Sequence, residues 1–305
     1  MPSKCNLKIE LPNSKAFAYE THPDLPQMHQ QVLCVGKRGS GKTVSVVNLV
    51  KKLDYDRVFI ISPTFKSNAA NMQLLAIDEG DVYEDTDDIS VIDTIKEEIE
   101  SEAKDYDEYH KRKELYKKFL KHKNSGNNIP DDLLLEFFDP VLQQFVAPFH
   151  WLNGRRPKLC LIYDDILGSQ LMSKGARKVS NLAILHRHCG SVVAEGGGAL
   201  GVSIFYLTQS FTIQHGGIPR CVRNNCTSLI LFKSKNEKEY DQIADEVAGE
   251  IGKDEFKKMY DYATEAPHSF LFVDLHPKAN HPSRFRKNFD EFVVLDQQNL
   301  SQSEN

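Results

Sequence analysis

The chain has 305 residues, 40% of them hydrophobic, and a formal net charge of −5 at pH 7. This length suits one large or two modest globular domains with a buried core. No stretch has the roughly 18 to 20 apolar residues that cross a bilayer, and the first residues carry no apolar signal core, so we expect no membrane partner, no signal peptide and a cytosol-like compartment.

The first predicted strand, residues 31–35, leads into a complete Walker A phosphate loop with the sequence Gly36-Lys37-Arg38-Gly39-Ser40-Gly41-Lys42-Thr43. Glycines let backbone N–H groups approach phosphates, Lys42 reaches the β- and γ-phosphates, and the Thr43 hydroxyl can ligand Mg²⁺. Apolar residues at helical spacing between Val46 and Leu53 supply the helix that this motif requires. The sequence therefore predicts binding of a nucleoside triphosphate, which we take to be ATP, with Mg²⁺.

A second strand at residues 57–62 is followed by about ninety residues without the next strand. Within them, residues 78–108 hold 15 Asp and Glu against two Lys, and the rest of the chain has 28 acids against 36 bases. A long helix is predicted from an N-cap at Ser90 to about residue 124, and a shorter one over 133–145. We interpret residues 78–150 as a helical insertion that packs on the core, with an interaction surface as the alternative.

The rest of the chain alternates strands with helices, which predicts a parallel sheet covered on both faces. The predicted strands are 158–163, 202–208, 228–232 and 269–273, and the predicted helices are 171–188, 237–248 and 254–262. The expected fold class is α/β, a P-loop NTPase of the additional-strand type with a mostly parallel central sheet. We expect one ATPase domain over residues 1–298 and a disordered tail over 299–305.

Two acids, Asp164 and Asp165, directly follow an apolar strand, as in a Walker B element. Asp164 would hold Mg²⁺ through water, and Asp165 would orient or deprotonate the attacking water. A helix cap or turn is the structural alternative for paired aspartates. Because a small-molecule kinase must keep water away from the γ-phosphate, the second acid favours hydrolysis over transfer to a metabolite.

Other candidates for catalysis follow the Walker B strand. Gln209, at the end of the strand 202–208, could act as a sensor whose amide contacts the γ-phosphate or the attacking water, or it could simply cap a helix. An arginine finger supplied in trans commonly meets the charge of the transition state, and its candidates are Arg187, Arg220 and Arg223. A zinc site built from His186, His188, Cys189, Cys221 and Cys226 is a weaker alternative, since their spacing matches no standard ligand pattern.

Together these motifs resemble the FtsK/HerA-type genome-packaging ATPases of poxviruses, other large DNA viruses, virophages and Polinton-like elements. The likeness rests on the order of seven segments along the chain, which are 36–43, 59–64, 161–165, 187–188, 207–210, 218–225 and 284–290. Two features depart from it, namely aspartate rather than glutamate as the second Walker B acid and the glycine-rich segment 190–201. We interpret that segment as a flexible surface loop, with a lining of a DNA channel as the alternative.

The resemblance implies a ring-forming motor that threads double-stranded DNA into a preformed capsid, with capsid or portal components as partners. Lys42 and Thr43 would bind phosphate and Mg²⁺, Asp164 and Asp165 would form the Walker B pair, Gln209 would be the sensor, and Arg223 is the first choice for the finger. The implied location is the host cytoplasm or a virus factory, with association with the virion. DNA contacts should be phosphate-directed and independent of sequence, and the basic residues predicted for them are Lys174, Arg177, Lys178, Arg284, Arg286 and Lys287.

Two rival functions stay open at this point. A replicative helicase of the same phosphate-loop class would separate the strands of a fork, whereas a packaging motor would move an intact duplex. A nucleotide-binding regulatory or scaffold protein would hydrolyse slowly and ignore DNA.

Overall fold

A computed structural model describes residues 17–75, 77–137, 151, 154–213 and 215–294. Nine of its strands form one sheet, in the order β11-β10-β9-β8-β1-β7-β4-β2-β3. The strands of this sheet are β1 Gln31–Val35, β2 Arg57–Ile61, β3 Val82–Tyr83, β4 Leu159–Asp164, β7 Ser203–Thr208, β8 Ser228–Phe232, β9 Phe270–Asp274, β10 Phe285–Lys287 and β11 Glu291–Phe292. The other two, β5 Ser191–Val192 and β6 Gly198–Ala199, form a small hairpin.

The central part of the sheet is parallel and one side of it is antiparallel. All pairs from β8 through β1, β7, β4 and β2 to β3 are parallel, whereas β9, β10 and β11 are added antiparallel. Helices cover both faces. Their bounds are α1 Lys42–Leu53, α2 Phe65–Met72, α3 Val91–Ser125, α4 Asp131–Phe137, α5 Gln170–Ser173, α6 Ala176–Leu185, α7 Arg220–Asn224, α8 Glu237–Val247 and α9 Lys253–Ala263. The predicted α/β class with a mostly parallel sheet is confirmed.

Alternate residues of each central strand enter two different hydrophobic cores. In β1, Val32 and Cys34 pack with α1 on one face, whereas Leu33 and Val35 face the core that includes α3, α6, α8 and α9. Because successive side chains of a strand point to opposite faces, an entirely apolar strand is what a doubly covered sheet requires. The sheet edge at the carboxyl ends of β1, β4 and β7 is thereby held rigidly from both sides.

Several predicted boundaries differ from the structure. The helix predicted over 171–188 is broken into α5, α6 and a 3₁₀ turn at His186–His188. The break falls at Gly175, where an added Cβ would lie 2.6 Å from the Leu171 carbonyl oxygen. Ser90 precedes α3 but does not cap it, because its hydroxyl donates to Asp88 at 2.6 Å.

Other predictions concern the chain termini and the shortest strands. The strand predicted at 269–273 is β9 but is not the last, since β10 and β11 follow it. These strands have three and two residues, too few for a periodic signal. The helix predicted at 133–145 begins as α4, and its part after residue 137 lies outside the described residues, as does the predicted tail 299–305. Among the residues that the structure describes, no helix is both long and apolar enough to cross a membrane.

Helix α3 has 35 residues, and its first half is anchored in the core. Ile92, Ile95, Ile99 and Tyr106 are at most 1% exposed. An arginine at the start of β2 also reaches this helix, since Arg57 pairs with Glu98 at 2.9 Å and Glu102 at 3.3 Å, as well as with Asp81 at 2.7 Å. Part of the acidic stretch therefore forms ion pairs that connect α3 and the residue before β3 to the start of β2.

The glycine-rich segment 190–201 is fastened to α3 rather than free. Two carboxylates of α3 accept its backbone N–H groups, Glu100 from Gly190 at 2.8 Å and Asp107 from Val193 and Ala194 at 2.9 and 2.8 Å. The Tyr106 hydroxyl donates to Glu195 of the segment at 2.7 Å. The interpretation as a flexible surface loop is therefore wrong. The sequence indicated neither the acceptor carboxylates on α3 nor the pairing of β5 with β6.

Candidate nucleotide-binding site

The phosphate loop occupies the turn between β1 and α1. Gly39 and Gly41 have φ values of 78° and 107°, which favour glycine. At Gly36 space is the constraint, since an added Cβ would lie 2.5 Å from Ser40 Oγ and 2.9 Å from the Phe232 ring. The Gly36 N–H donates to the Thr208 carbonyl of β7 at 3.0 Å, which ties the loop to the neighbouring strand.

Lys42 begins α1, and its side chain turns back over the loop. Its Nζ donates to the carbonyls of Gly36 at 2.7 Å and Lys37 at 3.3 Å. Burial lowers the pKa of Lys42, and the charges of Asp164 and Asp165 oppose that shift. An ammonium held by two loop carbonyls is positioned to exchange them for phosphate oxygens.

Asp164 is the last residue of β4 and is 4% exposed. Burial, followed by the charge of Asp165, raises the pKa of Asp164 to about 6, although Lys42 opposes the rise. Within the described part of the chain its Oδ2 has no hydrogen-bond partner. A buried carboxylate oxygen without a partner fits a hard divalent cation, which prefers oxygen ligands. Thr43, in the first turn of α1, is half-buried and belongs to the same predicted Mg²⁺ site.

Asp165 and Gln209 meet at the exposed mouth of the site. The Gln209 Nε2 donates to Asp165 Oδ1 at 2.9 Å. The pairing of β4 with β7, in which Asp164 is opposite Leu207, brings the two strand ends side by side. Asp165 has a φ of 55°, an uncommon conformation for a residue with a side chain. Strained residues of this kind concentrate at functional sites.

The contact between Gln209 and Asp165 yields a testable expectation. In the Gln209→Ala protein the Asp165 carboxylate loses the amide that orients it, so hydrolysis should fall roughly 10²-fold while nucleotide affinity changes little. Single-turnover hydrolysis and equilibrium binding of an ATP analogue measure the two quantities separately. Gln242→Ala, which removes an exposed glutamine of α8, is the matched control, and an equal loss in both proteins would contradict the assignment.

Three further residues at the loop come from distant parts of the chain. His268, which precedes β9 and has a φ of 64°, places its Nδ1 3.2 Å from the Ser40 carbonyl oxygen. Lys37 Nζ donates to Ser210 Oγ at 3.4 Å, and Phe232 packs against Gly36. Sequence reasoning missed these contacts because no local pattern links a residue near 268 to the loop.

The three candidate finger arginines lie in different surroundings. Arg223 is 12% exposed and bound inside its own subunit, where it donates to the Ile218 carbonyl at 2.8 Å and pairs with Glu246 at 3.3 Å. Arg220, at the start of α7, and Arg187 are exposed. Arg187 lies near the amino end of β7, since the Val202 N–H donates to the His186 carbonyl at 2.8 Å. The parallel strands place this end opposite the phosphate loop.

Most of the basic residues predicted to contact DNA have partners within the protein. Arg286 is 2% exposed and donates to the Asp24 carbonyl, and Arg284 donates to the Val247 and Ala248 carbonyls. The three lysines of that set also have partners, which are Glu265 for Lys287, Asp93 for Lys178 and Gln170 for Lys174. Arg286 in particular is too buried for phosphate contact, so its prediction is corrected. Arg177 shows no side-chain contact among the described residues.

The residues considered for zinc do not converge. Cys221 is exposed and lies 3.2 Å from the Ser180 hydroxyl, whereas Cys226 is buried, which raises the pKa of its thiol to about 12. Nowhere in the described ranges do three or more His, Cys, Asp or Glu residues form a cluster that could hold a metal ion.

No protein-family model and no curated protein matches this chain. Among solved structures it is similar to the pCW3 conjugation coupling protein TcpA with ATPγS, at 15% identity and a TM-score of 0.40, over 82% of this chain and 58% of that one. It is also similar to the cytoplasmic domain of the Thermomonospora curvata type VII secretion ATPase EccC, at 14% identity and 0.38, over 82% of this chain and 24% of that one. A third is the genome-packaging NTPase B204 of Sulfolobus turreted icosahedral virus 2 with ATPγS, at 12% identity and 0.40, over 81% and 92%. The chain therefore spans 58% and 24% of the length of the first two.

Proposed function

We propose that this protein hydrolyses ATP and uses the energy to move double-stranded DNA. The observation that carries the proposal is the adjacency of β1, β7 and β4, whose carboxyl ends bring Lys42, the Gln209–Asp165 pair and the buried Asp164 to one place. A phosphate-binding ammonium beside two carboxylates, one buried and one exposed, suits in-line attack of water on a γ-phosphate.

Each group has a distinct task in this proposal. Backbone N–H groups of the loop and Lys42 bind the phosphates, while Thr43 and Asp164 would hold Mg²⁺. Mg²⁺, when bound, neutralises charge on the phosphate oxygens. Asp165 orients the attacking water and accepts its proton, and the Gln209 amide keeps that carboxylate in position. Arg220 is the finger we propose for a neighbouring subunit in a homo-oligomeric ring, because Arg223 is held within its own subunit. An Arg220→Ala oligomer with unaltered turnover would rule that out.

The finer proposal is a viral genome-packaging motor that threads DNA into a capsid through capsid or portal components. It draws on the order of motifs from Gly36 to Asp290 that the chain shares with such ATPases. The single-domain organisation over residues 1–298 belongs to the same proposal, as does a location in the host cytoplasm or virus factory.

The first experiment measures ATP hydrolysis with and without long duplex DNA at low and moderate salt. We expect the DNA to raise the rate several-fold, and the Lys42→Ala protein to show neither basal nor stimulated turnover, since removing one preorganised charge typically lowers turnover roughly 10²- to 10³-fold. The rate should fall as salt rises, because contacts to phosphates are screened.

The same assay separates the rivals. Lys42-dependent turnover that ignores DNA would favour a regulatory nucleotide-binding protein over a motor. Unwinding of a forked duplex would favour a helicase, and movement without strand separation would favour packaging.

A further inference from the structure

The distal half of α3 has a charge opposite to that of its anchored half. Residues 91–108 contain eight acids and two bases, whereas residues 109–125 contain seven Lys and Arg and one acid, Glu114. Four of the acids of the first half bind other parts of the protein, since Glu98 and Glu102 pair with Arg57 while Glu100 and Asp107 accept backbone N–H groups of the 190–201 segment. Within the described ranges, the lysines of the second half show no ion pair with a buried carboxylate.

Four lysines of the distal half form a row along one side of the helix. Lys113, Lys117 and Lys121 follow one another at four-residue steps, and Lys118, three residues before Lys121, lies beside it. All of them except Lys113, which is half-buried, are exposed. The apolar side chains of this half, led by Phe119, face the opposite side and pack on α4 with Leu133 and Phe137.

The contacts of this row leave its charge available. Lys117 pairs with Glu114 at 2.7 Å, but both side chains are about 60% exposed, and such pairs contribute little. Lys113 Nζ lies 5.4 Å from the centre of the Tyr109 ring, a cation–π contact that involves no carboxylate. By contrast, Arg57, Arg155 and Lys178, which lie outside α3, pair directly with carboxylates.

We propose that this lysine row, Lys113, Lys117, Lys118 and Lys121, binds the phosphate backbone of duplex DNA. The proposal rests on the proposed function and names a contact surface for its DNA partner. Three lysines at four-residue steps span about 12 Å of helix, and duplex DNA carries one charge per roughly 1.7 Å of its axis. A straight row of ammonium groups on an anchored helix therefore meets several phosphates at once and reads no sequence.

The test compares two sets of three substitutions. Lys113→Gln, Lys117→Gln and Lys121→Gln remove the row, while Lys235→Gln, Lys238→Gln and Lys257→Gln remove three exposed charges near α8 and α9. Affinity for a 60-base-pair duplex of mixed sequence is measured between low and moderate salt without ATP. The row variant should bind roughly tenfold or more weakly, with a slope of log K against log salt smaller by about 3. The control should lose much less.

Three results would overturn the proposal. The first is equal weakening in both sets, which would mean that only overall charge matters. The second is a loss that persists when the same three positions carry arginine, which retains the charge. The third is retention of duplex binding by the row variant together with loss of its binding to phosphatidylserine vesicles, which would make the row a lipid contact.

Measurement of ATP hydrolysis distinguishes failure of this proposal from failure of the proposed function. The contacts of the row are with residues of α3 itself and not with the Walker residues, so basal ATP hydrolysis of the row variant should be unaltered. A row variant with normal duplex affinity and normal DNA-stimulated hydrolysis refutes the row but leaves the motor intact. Absence of stimulation in the unmodified protein refutes the motor instead.

Discussion

Replacing Asp164 by asparagine should abolish most ATP hydrolysis and at the same time stabilise the nucleotide-free protein. Hydrolysis should fall roughly 10²- to 10³-fold, because the substitution removes the carboxylate proposed to hold Mg²⁺. Stability should rise because the charged form of this carboxylate is unfavourable in the folded protein. Burial, and to a smaller extent the charge of Asp165, raises the pKa of Asp164 from 3.8 to about 6. The two effects have opposite signs because the same burial serves the chemistry and opposes folding.

The pH dependence follows from the direction of that shift. A folded-state pKa above the unfolded value means that the folded protein binds the proton more tightly, so stability falls as pH rises from about 4 to about 6. Above pH 6 we expect the ionised Asp164 to destabilise the fold by up to about 3 kcal/mol, since a pKa difference of one corresponds to about 1.4 kcal/mol. Asp164→Asn should recover up to that amount at pH 8 and nothing at pH 4.

Urea unfolding at the two pH values, without Mg²⁺, measures the effect. Asp165→Asn is the matched control, since Asp165 is exposed and its loss should impair hydrolysis without a comparable gain in stability. An Asp164→Asn protein less stable than the original at pH 8 would show that the favourable interactions of the carboxylate with Lys42, Ser62 and Asn68 outweigh its burial.

Of the substitutions considered, Arg57→Met should lower the free energy of unfolding the most. Its guanidinium makes two hydrogen bonds to Asp81, at 2.7 and 2.8 Å, and reaches Glu102, which also accepts from the Trp151 indole. Asp81 and Glu102 are each 4% exposed, so Arg57→Met would leave two buried carboxylates without their cation. Breaking a buried ion pair in this way costs about 3 to 5 kcal/mol.

The measurement is the urea midpoint at constant slope, combined with amide hydrogen exchange in α3. Exchange should rise most in the anchored half of the helix, where Glu98 and Glu102 lose their ion pairs with Arg57. Lys66→Met is the control, because the Lys66–Glu84 pair is exposed and should not measurably affect unfolding. A small loss with unaltered exchange would mean that water or another base compensates both acids.

The parts of the fold that the sequence predicted are those with a local cause. The loop from Gly36 to Thr43 and the strand ending at Asp164 depend on neighbours in the chain, and both lie where the pattern placed them. The contact of Gln209 with Asp165 could be anticipated only in part, since it depends on β4 and β7 being adjacent.

What the sequence did not predict depends on long-range partners. The acidic stretch gave no sign that Glu98 and Glu102 meet Arg57, or that Asp107 holds the 190–201 segment, because charge patterns do not identify a distant partner. His268 lies at the phosphate loop because β9, which follows it, pairs antiparallel with β8. The burial of Arg286 was hidden for the same reason.

The shortness of the outermost strands limits how copies of this protein can associate. In the part of the chain that the structure describes, the sheet begins with the two residues of β11 and finishes with the two of β3, so neither outermost strand there offers a long ladder of backbone groups. Strand addition by a neighbour would gain few hydrogen bonds. We therefore expect any ring of this protein to be joined mainly by side chains of helices and loops, so that its assembly responds to single charge reversals and to ionic strength.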